Sequence, residues 1–258
     1  MLQQSDDGAL RLLTLDRPEQ RNALNLPLLT ALRAALADAA ADPSVRALIL
    51  TGAGKGFCAG ADIGEWAEAE AAGRLGTYGW TEASHTLVGE LFDFPKPTIA
   101  LLNGAAVGAG LDLALACDFR FASDAAQFSC AYTRMAYPPD AGGSWLLPHL
   151  IGLAAAKRFV YTGEFWSAAE AKEAGMITEI HPAERLRAAT FEFARRLAGG
   201  PTIAIGEAKR LLQSAAMRDL RAQLAAEHDA GLRCGRSADA HEALAAAVAR
   251  REPVFKGT

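Results

Sequence analysis

The apolar residues of this chain are spaced in a way that predicts alternating strands and helices. Residues 10–16 alternate as in a strand. Continuous apolar runs at 47–50 and 98–102 indicate buried strands, and each is followed by a glycine-bearing turn. Six apolar residues recur at helical spacing over 28–39, and Asp42-Pro43 ends that helix. Shorter strands are predicted at 119–122, 127–130 and 176–180.

Two further segments do not show this alternation of strands and helices. From Pro182 onward Ala, Leu, Arg and Glu dominate, and breaks near 199–201 and at 235 predict three helices. Residues 68–80 mix alanine, glycine and charge without a clear period. That segment fits either a mobile flap beside a site or a plain surface loop.

Composition and charge narrow the classes of protein. The 258 residues are 51% hydrophobic and 22% charged, which excludes wholesale disorder and a fibrous repeat. A net charge of -4, from 26 basic and 30 acidic residues, lacks the positive field of a general nucleic-acid binder. An anionic ligand would therefore have to be bound by local groups.

The cysteines and the first residues predict a cytoplasmic location. Residues 1–7 lack the basic start and apolar core of a signal peptide. The apolar stretch 98–117 contains Asn103, Asp112 and three glycines, which fits a buried strand, turn and helix better than a membrane span. Reduced, mostly buried thiols are expected at Cys58, Cys117, Cys130 and Cys234.

The glycine-rich turns match no nucleotide-binding motif. Residues 51–57 fail both GxxxxGK[ST] and GxGxxG, and 104–110 have the wrong spacing. GxSxG, HExxH and a Tyr-x3-Lys pair are absent from the sequence, and the five histidines suggest no metal cluster. Two strand-to-helix junctions remain, 51–63 and 102–112. Taken alone, their glycines would more often serve close packing than ligand binding.

Four motifs together resemble a known family. They are Arg17-Pro18 to Asn22-Ala23-Leu24, 57–63, 103–110 and Pro139-Asp140-Ala141-Gly142-Gly143. In this order and spacing the chain resembles the crotonase (enoyl-CoA hydratase/isomerase) superfamily over essentially its whole length. The resemblance implies an α/β, crotonase-like spiral of ββα repeats over 1–195. A C-terminal helical region over 196–258 would form a homotrimer or a dimer of trimers and complete part of the acyl-CoA pocket.

The resemblance also implies an oxyanion hole. The thioester oxygen would be bound by the backbone N–H groups of Ala61 and Ala109, and Gly108 would open a helix there. Ala109 departs from the usual glycine, but the donor is main-chain. Removing a proton beside a thioester makes an enolate, and each preorganised donor to its oxygen is worth roughly 10²–10³ in rate.

The acids favour an isomerase. A hydratase of this family uses two glutamates, whose positions fall on Asp112 and on Tyr132, a phenol that is neutral near pH 7. Asp140 replaces a glycine, and the run 139–148 is similar to epoxyphenylacetyl-CoA and dienoyl-CoA isomerases, where that aspartate shuttles the proton. We expect Asp140 to be the principal base and Asp112 to assist or orient. Alternatively, Asp140 is a turn residue and Asp112 a solvated helix residue.

The remaining expected contacts are with substrate. Tyr132, Tyr137 and Trp145 would shape an apolar acyl pocket. Coenzyme A would enter as part of the substrate, with no separate cofactor and no metal. Its adenosine and phosphates would lie near Arg21 and the backbone of residues 59–63. Phe255 and Lys256 would reach toward them from the C-terminus, although Lys256 is equally well explained as an exposed cation. These further residues are Ala59, Gly60, Ala61, Asp62, Ile63, Phe255 and Lys256.

Several functions stay open. The leading one is a double-bond isomerase of acyl-CoA thioesters, and an enoyl-CoA hydratase is next. Thioester hydrolysis or dehalogenation is a third, because an aspartate at position 140 can act as a nucleophile in relatives of this fold. A non-catalytic CoA-binding or RNA-binding homologue is a fourth, although neither a membrane nor a nucleic acid is the expected partner.

Overall fold

The computed structural model describes residues 1–74 and 78–258. Its strands are β1 (Leu2–Asp7), β2 (Leu10–Leu15), β3 (Ala47–Gly52), β4 (Thr98–Leu102), β5 (Ala106–Val107), β6 (Phe119–Ser123), β7 (Gln127–Ser129), β8 (Trp166–Ser167) and β9 (Glu179–His181). Its helices are α1 (Leu26–Ala41), α2 (Ile63–Ala71), α3 (Trp80–Phe92), α4 (Ala109–Leu115), α5 (Gly143–Thr162), α6 (Ala168–Glu173), α7 (Ala183–Ala198), α8 (Thr202–Ser214), α9 (Leu220–Cys234) and α10 (Ala238–Ala249). Short 3-10 helices lie at Pro18–Gln20, Ala131–Met135 and Ala215–Met217.

The larger sheet has the strand order β1-β2-β3-β4-β6-β9. Only β1 and β2 pair in antiparallel fashion, and the other neighbours are parallel. β3 and β4 are buried along their whole length because structure covers both faces of the sheet. The apolar runs at 47–50 and 98–102 are therefore confirmed as central strands.

A second, smaller sheet makes the chain a spiral of repeats. β5 pairs with β7 in parallel fashion and β7 with β8 in antiparallel fashion. Isolated bridges join Cys58 to Ala106 and Leu24 to Ala61, which continue this sheet toward earlier turns of the chain. Each turn runs through a strand of the large sheet, a short pairing in the small one and then a helix, as in β4-β5-α4 and β6-β7-α5. The predicted ββα spiral is confirmed.

The core lies on both faces of the large sheet. One cluster packs α1, α3 and α4 against residues such as Leu13, Leu48 and Leu50. The opposite face carries Ile49 and Phe121, which α7 covers with Leu186, Phe191 and Ala194 among others. Successive residues of β3 thus point to opposite layers. α7 packs on the large sheet, and the expected boundary between core and C-terminal region at residue 195 falls inside this helix.

Three predicted elements need correction. Residues 176–178 are not strand, because the N–H groups of Met176 and Ile177 donate to the Ala171 carbonyl at the end of α6 and the Met176 carbonyl accepts a hydrogen bond from the Arg120 side chain. Four helices rather than three follow Pro182 in the described chain, because Asp219 caps a new helix after a break that contains neither Gly nor Pro. Residues 68–71 are helical, and 75–77 lie outside the described residues.

The cysteine prediction agrees with the structure. Cys58, Cys117 and Cys130 are buried as free thiols, and Cys234 is partly exposed. Across residues 1–74 and 78–258, the helices are too short or too polar to cross a membrane. The cytoplasmic location stays a prediction.

Replacing Gly110 by alanine tests how tightly α4 packs on the junction before it. A Cβ at this position would lie 2.6 Å from the carbonyl oxygen of Cys58 and 2.7 Å from its Cβ. We expect Gly110→Ala to lower the free energy of unfolding by about 1–3 kcal/mol. Gly89→Ala is the control, because nothing lies within 4 Å of its new Cβ inside α3. That variant should be stabilised by about 0.5–1 kcal/mol. Urea unfolding measures both, and equal effects would contradict the packing described.

Candidate active site

The first candidate hydrogen-bond donor for a ligand is the backbone N–H of Ala61, whose direction follows from the backbone pairing of its neighbours with Leu24. The Leu24 N–H donates a hydrogen bond to the Gly60 carbonyl, and the Leu24 carbonyl accepts one from the Asp62 N–H. In an extended segment the backbone N–H and C=O groups of successive residues point to opposite sides. The N–H of Ala61 therefore points away from Leu24. Among the described residues it has no protein acceptor.

The second candidate donor is the first N–H of α4. This helix begins at Ala109, and the first N–H groups of a helix have no partner inside it. Gly108 turns the chain into the helix at φ 52°, ψ -129°, a conformation that suits glycine. Its own N–H donates to the Ser129 carbonyl, whereas the amide of Ala109 has no protein acceptor in the described residues and Ala109 lines a pocket.

The two junctions lie against each other at Gly60. A Cβ there would be 2.8 Å from the Val107 carbonyl oxygen and 3.5 Å from the Ala109 nitrogen. Gly60 also has φ +94°, so a side chain would be strained as well as crowded. Ala61 and Ala109 both line one cavity of about 220 Å³, here called the inner pocket. The structure thus brings together the two amides that the sequence singled out.

Asp140 lines the same inner pocket from the loop before α5. It is half-buried, and its Oδ1 is buried without a hydrogen-bond partner in the described structure. Burial raises the pKa of Asp140, and the nearby His85 opposes this shift. The His85 ring nitrogen lies 2.6 Å from the Asp140 backbone carbonyl oxygen, which ties this loop to α3. Asp140 is thus a loop residue, as the alternative interpretation has it, but one that also lines the pocket.

Asp112 is completely buried on α4 and is not a wall of the inner pocket. Its Oδ2 accepts a hydrogen bond of 2.6 Å from the Tyr132 hydroxyl, and Tyr132 does line the pocket. Burial raises the pKa of Asp112 to about 7, against the lowering effect of Tyr132 and the Gly143 backbone. Oδ1 has no partner with hydrogen-bond geometry in the described chain, although Gly143 lies beside it. The interpretation of Asp112 as a solvated helix residue is wrong.

Trp66 is a pocket residue that the sequence did not single out. Its ring packs edge-on between Trp80 and Tyr137, with centroids 5.4 Å and 5.7 Å away. Ile63 and Trp66 both line the inner pocket because residues three apart share a helix face. That spacing at the start of α2 was the available signal. Within the described residues, three of the four buried side-chain nitrogen and oxygen atoms without a hydrogen bond belong to Trp66, Asp112 and Asp140.

A larger outer cavity of about 680 Å³ adjoins the inner pocket. Arg21 and Lys55 line it, and Ala59 and Val107 are walls of both cavities. Arg21 adopts a left-handed conformation at φ 51°, which is set by the turn after Pro18–Gln20. The sequence predicted Arg21 and missed Lys55, which lies in the glycine-rich turn after β3.

Other predicted site residues lie elsewhere in this chain. Trp145 packs edge-on against Phe92 and stacks on His149, so it does not join Tyr132 and Tyr137. The carboxylate of Asp62 caps α2 and forms a 2.8 Å salt bridge with Arg17.

Phe255 and Lys256, the two predicted C-terminal contacts, line neither the inner pocket nor the outer cavity. The Phe255 carbonyl accepts a hydrogen bond from Arg46, and the Lys256 backbone N–H donates to Asp239. The Lys256 side chain is exposed.

Comparisons with known proteins agree with the fold and the motifs. The family model described as enoyl-CoA hydratase/isomerase matches residues 6–258. The chain belongs to the enoyl-CoA hydratase/isomerase family. It is 38% identical over 247 residues to the 1,2-epoxyphenylacetyl-CoA isomerase of Escherichia coli, covering 95% of this chain and 94% of that protein. It is 35% identical over 246 residues to the 2,3-dehydroadipyl-CoA hydratase of the same organism, with the same coverage.

A solved structure supports the family assignment. The enoyl-CoA hydratase of Bacillus anthracis superposes with a TM-score of 0.91 at 34% identity, covering 100% of this chain and 99% of that one. Isomerase and hydratase names both occur among these relatives of the family. Membership in the enoyl-CoA hydratase/isomerase family therefore does not choose between the two reactions, and the choice depends on this chain's own residues.

The pH dependence of stability tests the buried state of Asp112. Its pKa is raised from 3.8 to about 7 in the folded chain, so the folded state binds the proton more tightly than the unfolded state. Stability from this group is present at low pH and is lost as pH rises from about 4 to 7. We expect Asp112→Asn to unfold with a higher free energy than the wild type at pH 8, on the order of a few kcal/mol.

The gain should shrink toward pH 4, where the wild-type carboxyl is already protonated. Chemical denaturation at several pH values measures it. Asp124→Asn is the control, because Asp124 is exposed in the turn after β6. If the difference in the free energy of unfolding between Asp112→Asn and the wild type stays constant from pH 4 to pH 8, ionisation of Asp112 does not destabilise the folded state and the account is contradicted.

Proposed function

We propose that this chain is an acyl-CoA isomerase, which moves a carbon–carbon double bond by proton transfer on a thioester. One observation carries the proposal. Asp140 is the carboxylate that lines the inner pocket beside the amides of Ala61 and Ala109, whereas Asp112 is shielded behind Tyr132. A single base suffices for isomerisation, while addition of water ordinarily uses two coordinated groups.

Binding starts from the outer cavity in this proposal. Arg21 and Lys55 would attract the phosphates of coenzyme A, which the net charge of -4 would otherwise repel. The thioester would pass between Ala59 and Val107, the residues common to both cavities. Its acyl chain would then lie against Trp66, Tyr132 and Tyr137 in the inner pocket.

Chemistry would then take place between the amides and Asp140. The ionised carboxylate removes a proton from the γ-carbon, and the electron pair of that C–H bond moves through the double bond to the thioester oxygen. The N–H groups of Ala61 and Ala109 stabilise the resulting enolate. Asp140 returns the same proton to the α-carbon, which completes the shift of the double bond without a cofactor.

The raised pKa of Asp140 suits this role. Removal from water weakens the solvation of the carboxylate, which makes the ionised form a stronger base. Because only the ionised form removes a proton, the rate should fall as pH falls through this raised pKa.

Hydration of a 2-enoyl-CoA is the second candidate. It is favoured by the surviving carboxylate at Asp112 and by the hydratase names among relatives. Thioester hydrolysis through Asp140, or CoA binding without turnover, would appear in the same assays as a trapped acyl-enzyme or as binding alone.

An oligomer is also part of the proposal. Large apolar side chains are exposed on the C-terminal helices, including Leu244 at 68% and Val248 at 88% of full exposure. Such side chains would be covered by further copies of the chain in a trimer or a dimer of trimers.

Replacing Asp140 tests the isomerase directly. We expect Asp140→Asn to lower kcat for a 3-enoyl-CoA, which undergoes the same step in reverse, by roughly 10²–10⁴, because the amide cannot take the α-proton. Affinity for the thioester should change little, since the amides and the outer cavity are untouched. Steady-state kinetics measures both, and Asp124→Asn, with its exposed side chain, should match the wild type.

One pattern of results would overturn the preference for isomerisation. Rapid hydration of crotonyl-CoA that Asp112→Asn abolishes and Asp140→Asn leaves intact would make the chain a hydratase.

A further inference from the structure

The Tyr132 hydroxyl has its hydrogen committed to Asp112. The two oxygens are 2.6 Å apart, and above the raised pKa of Asp112 of about 7 the phenol is the donor, because a carboxylate only accepts. A phenol has one hydrogen to donate, so its remaining lone pairs are acceptors. Tyr132 lines the inner pocket while Asp112 does not. The polar group that this pair presents to a ligand is therefore an acceptor oxygen.

Three elements fix this pair in place. Asp112 lies on α4, Tyr132 on the 3-10 helix Ala131–Met135, and Gly143 at the start of α5. A Cβ on Gly143 would lie 2.3 Å from Asp112 Oδ1, so glycine leaves the space that the carboxylate occupies. The orientation of the phenol is thus set by its hydrogen bond to a buried and closely confined carboxylate, and little reorganisation is needed when a ligand binds.

The polar groups of the inner pocket are few. The amides of Ala61 and Ala109 are donors, Asp140 is a carboxylate, and Tyr137 carries another phenol. Ile63, Trp66 and Met135 contribute apolar surface to the rest of the wall. A second acceptor oxygen in such a pocket favours a ligand with a hydrogen-bond donor near the reacting carbons, because an unpaired buried acceptor is costly.

We propose that Tyr132, held by Asp112, binds a hydroxyl group beside the reacting carbons of the acyl chain. The hydroxyl is either part of the acyl group or a water molecule, since both present the same O–H donor. This inference rests on the proposed acyl-CoA function of the same pocket. Asp112 acts through Tyr132 as a positioning residue and makes no contact with substrate.

A matched pair of ligands tests the inference by calorimetry. 3-Hydroxybutyryl-CoA carries the donor, and 3-fluorobutyryl-CoA has a similar size without it. The wild type should bind the hydroxyl compound roughly two- to tenfold more tightly. Tyr132→Phe should bring this affinity ratio close to one while leaving the affinity for the fluoro compound nearly unchanged. Tyr137→Phe, which removes another phenol of the same wall, should leave the ratio as it is.

Asp112→Asn provides a second variant that does not alter the phenol. Its amide both donates and accepts, so the phenol hydrogen is no longer committed, and the ratio should fall toward one. This variant and the wild-type ratio keep the inference testable even if Tyr132→Phe fails to fold, which thermal unfolding would reveal. A wild-type ratio near one, or a ratio that survives both substitutions, would overturn the inference.

Kinetics separates the two sources of the hydroxyl. If Tyr132 holds water, the wild type hydrates crotonyl-CoA and Tyr132→Phe lowers kcat for hydration more than for isomerisation. If it binds an acyl hydroxyl, the affinity ratio appears without hydration. Because calorimetry detects binding whether or not the ligand reacts, an inactive wild type that keeps its ratio would overturn the proposed isomerase and leave this inference standing. An active isomerase that binds the hydroxyl and fluoro compounds equally well would overturn this inference and leave the proposed function standing.

Discussion

The site depends on the close approach of two backbone segments around Gly60. The Val107 carbonyl and the Ala109 nitrogen occupy the space that a side chain at this position would need. A neighbouring contact at Gly110 leaves no room between α4 and Cys58. These contacts place the start of α4 beside the segment that carries Ala61. A side chain at either glycine would push apart the two segments whose main-chain donors face this pocket.

The pocket's chemistry follows from removing its acids from water. Asp140 and Asp112 both have raised pKa values because burial disfavours the charged form. Their surroundings differ, however. Asp140 lines the pocket, whereas Asp112 is enclosed by Tyr132 and Gly143. The two acids thus have separate roles in our proposal, one as base and one as a support for the phenol.

The sequence predicted the parts of the structure that depend on local pattern. β3 and β4 are continuous apolar runs, and the motifs that contain Ala61 and Ala109 come in the family's order. The Asp112–Tyr132 hydrogen bond was beyond reach because it joins residues twenty positions apart through the fold. Trp66 was missed because the matched motif ends at Ile63. The break before Asp219 was missed because neither glycine nor proline marks it.

The central claim is that the amides of Ala61 and Ala109 polarise one thioester oxygen. Infrared spectroscopy of a bound acyl-CoA, with the carbonyl carbon labelled, measures this polarisation directly. Our account predicts that the C=O stretch moves to lower frequency on binding than in water, because two preorganised donors weaken the bond. A bound thioester whose stretch stays at its value in water would contradict the account.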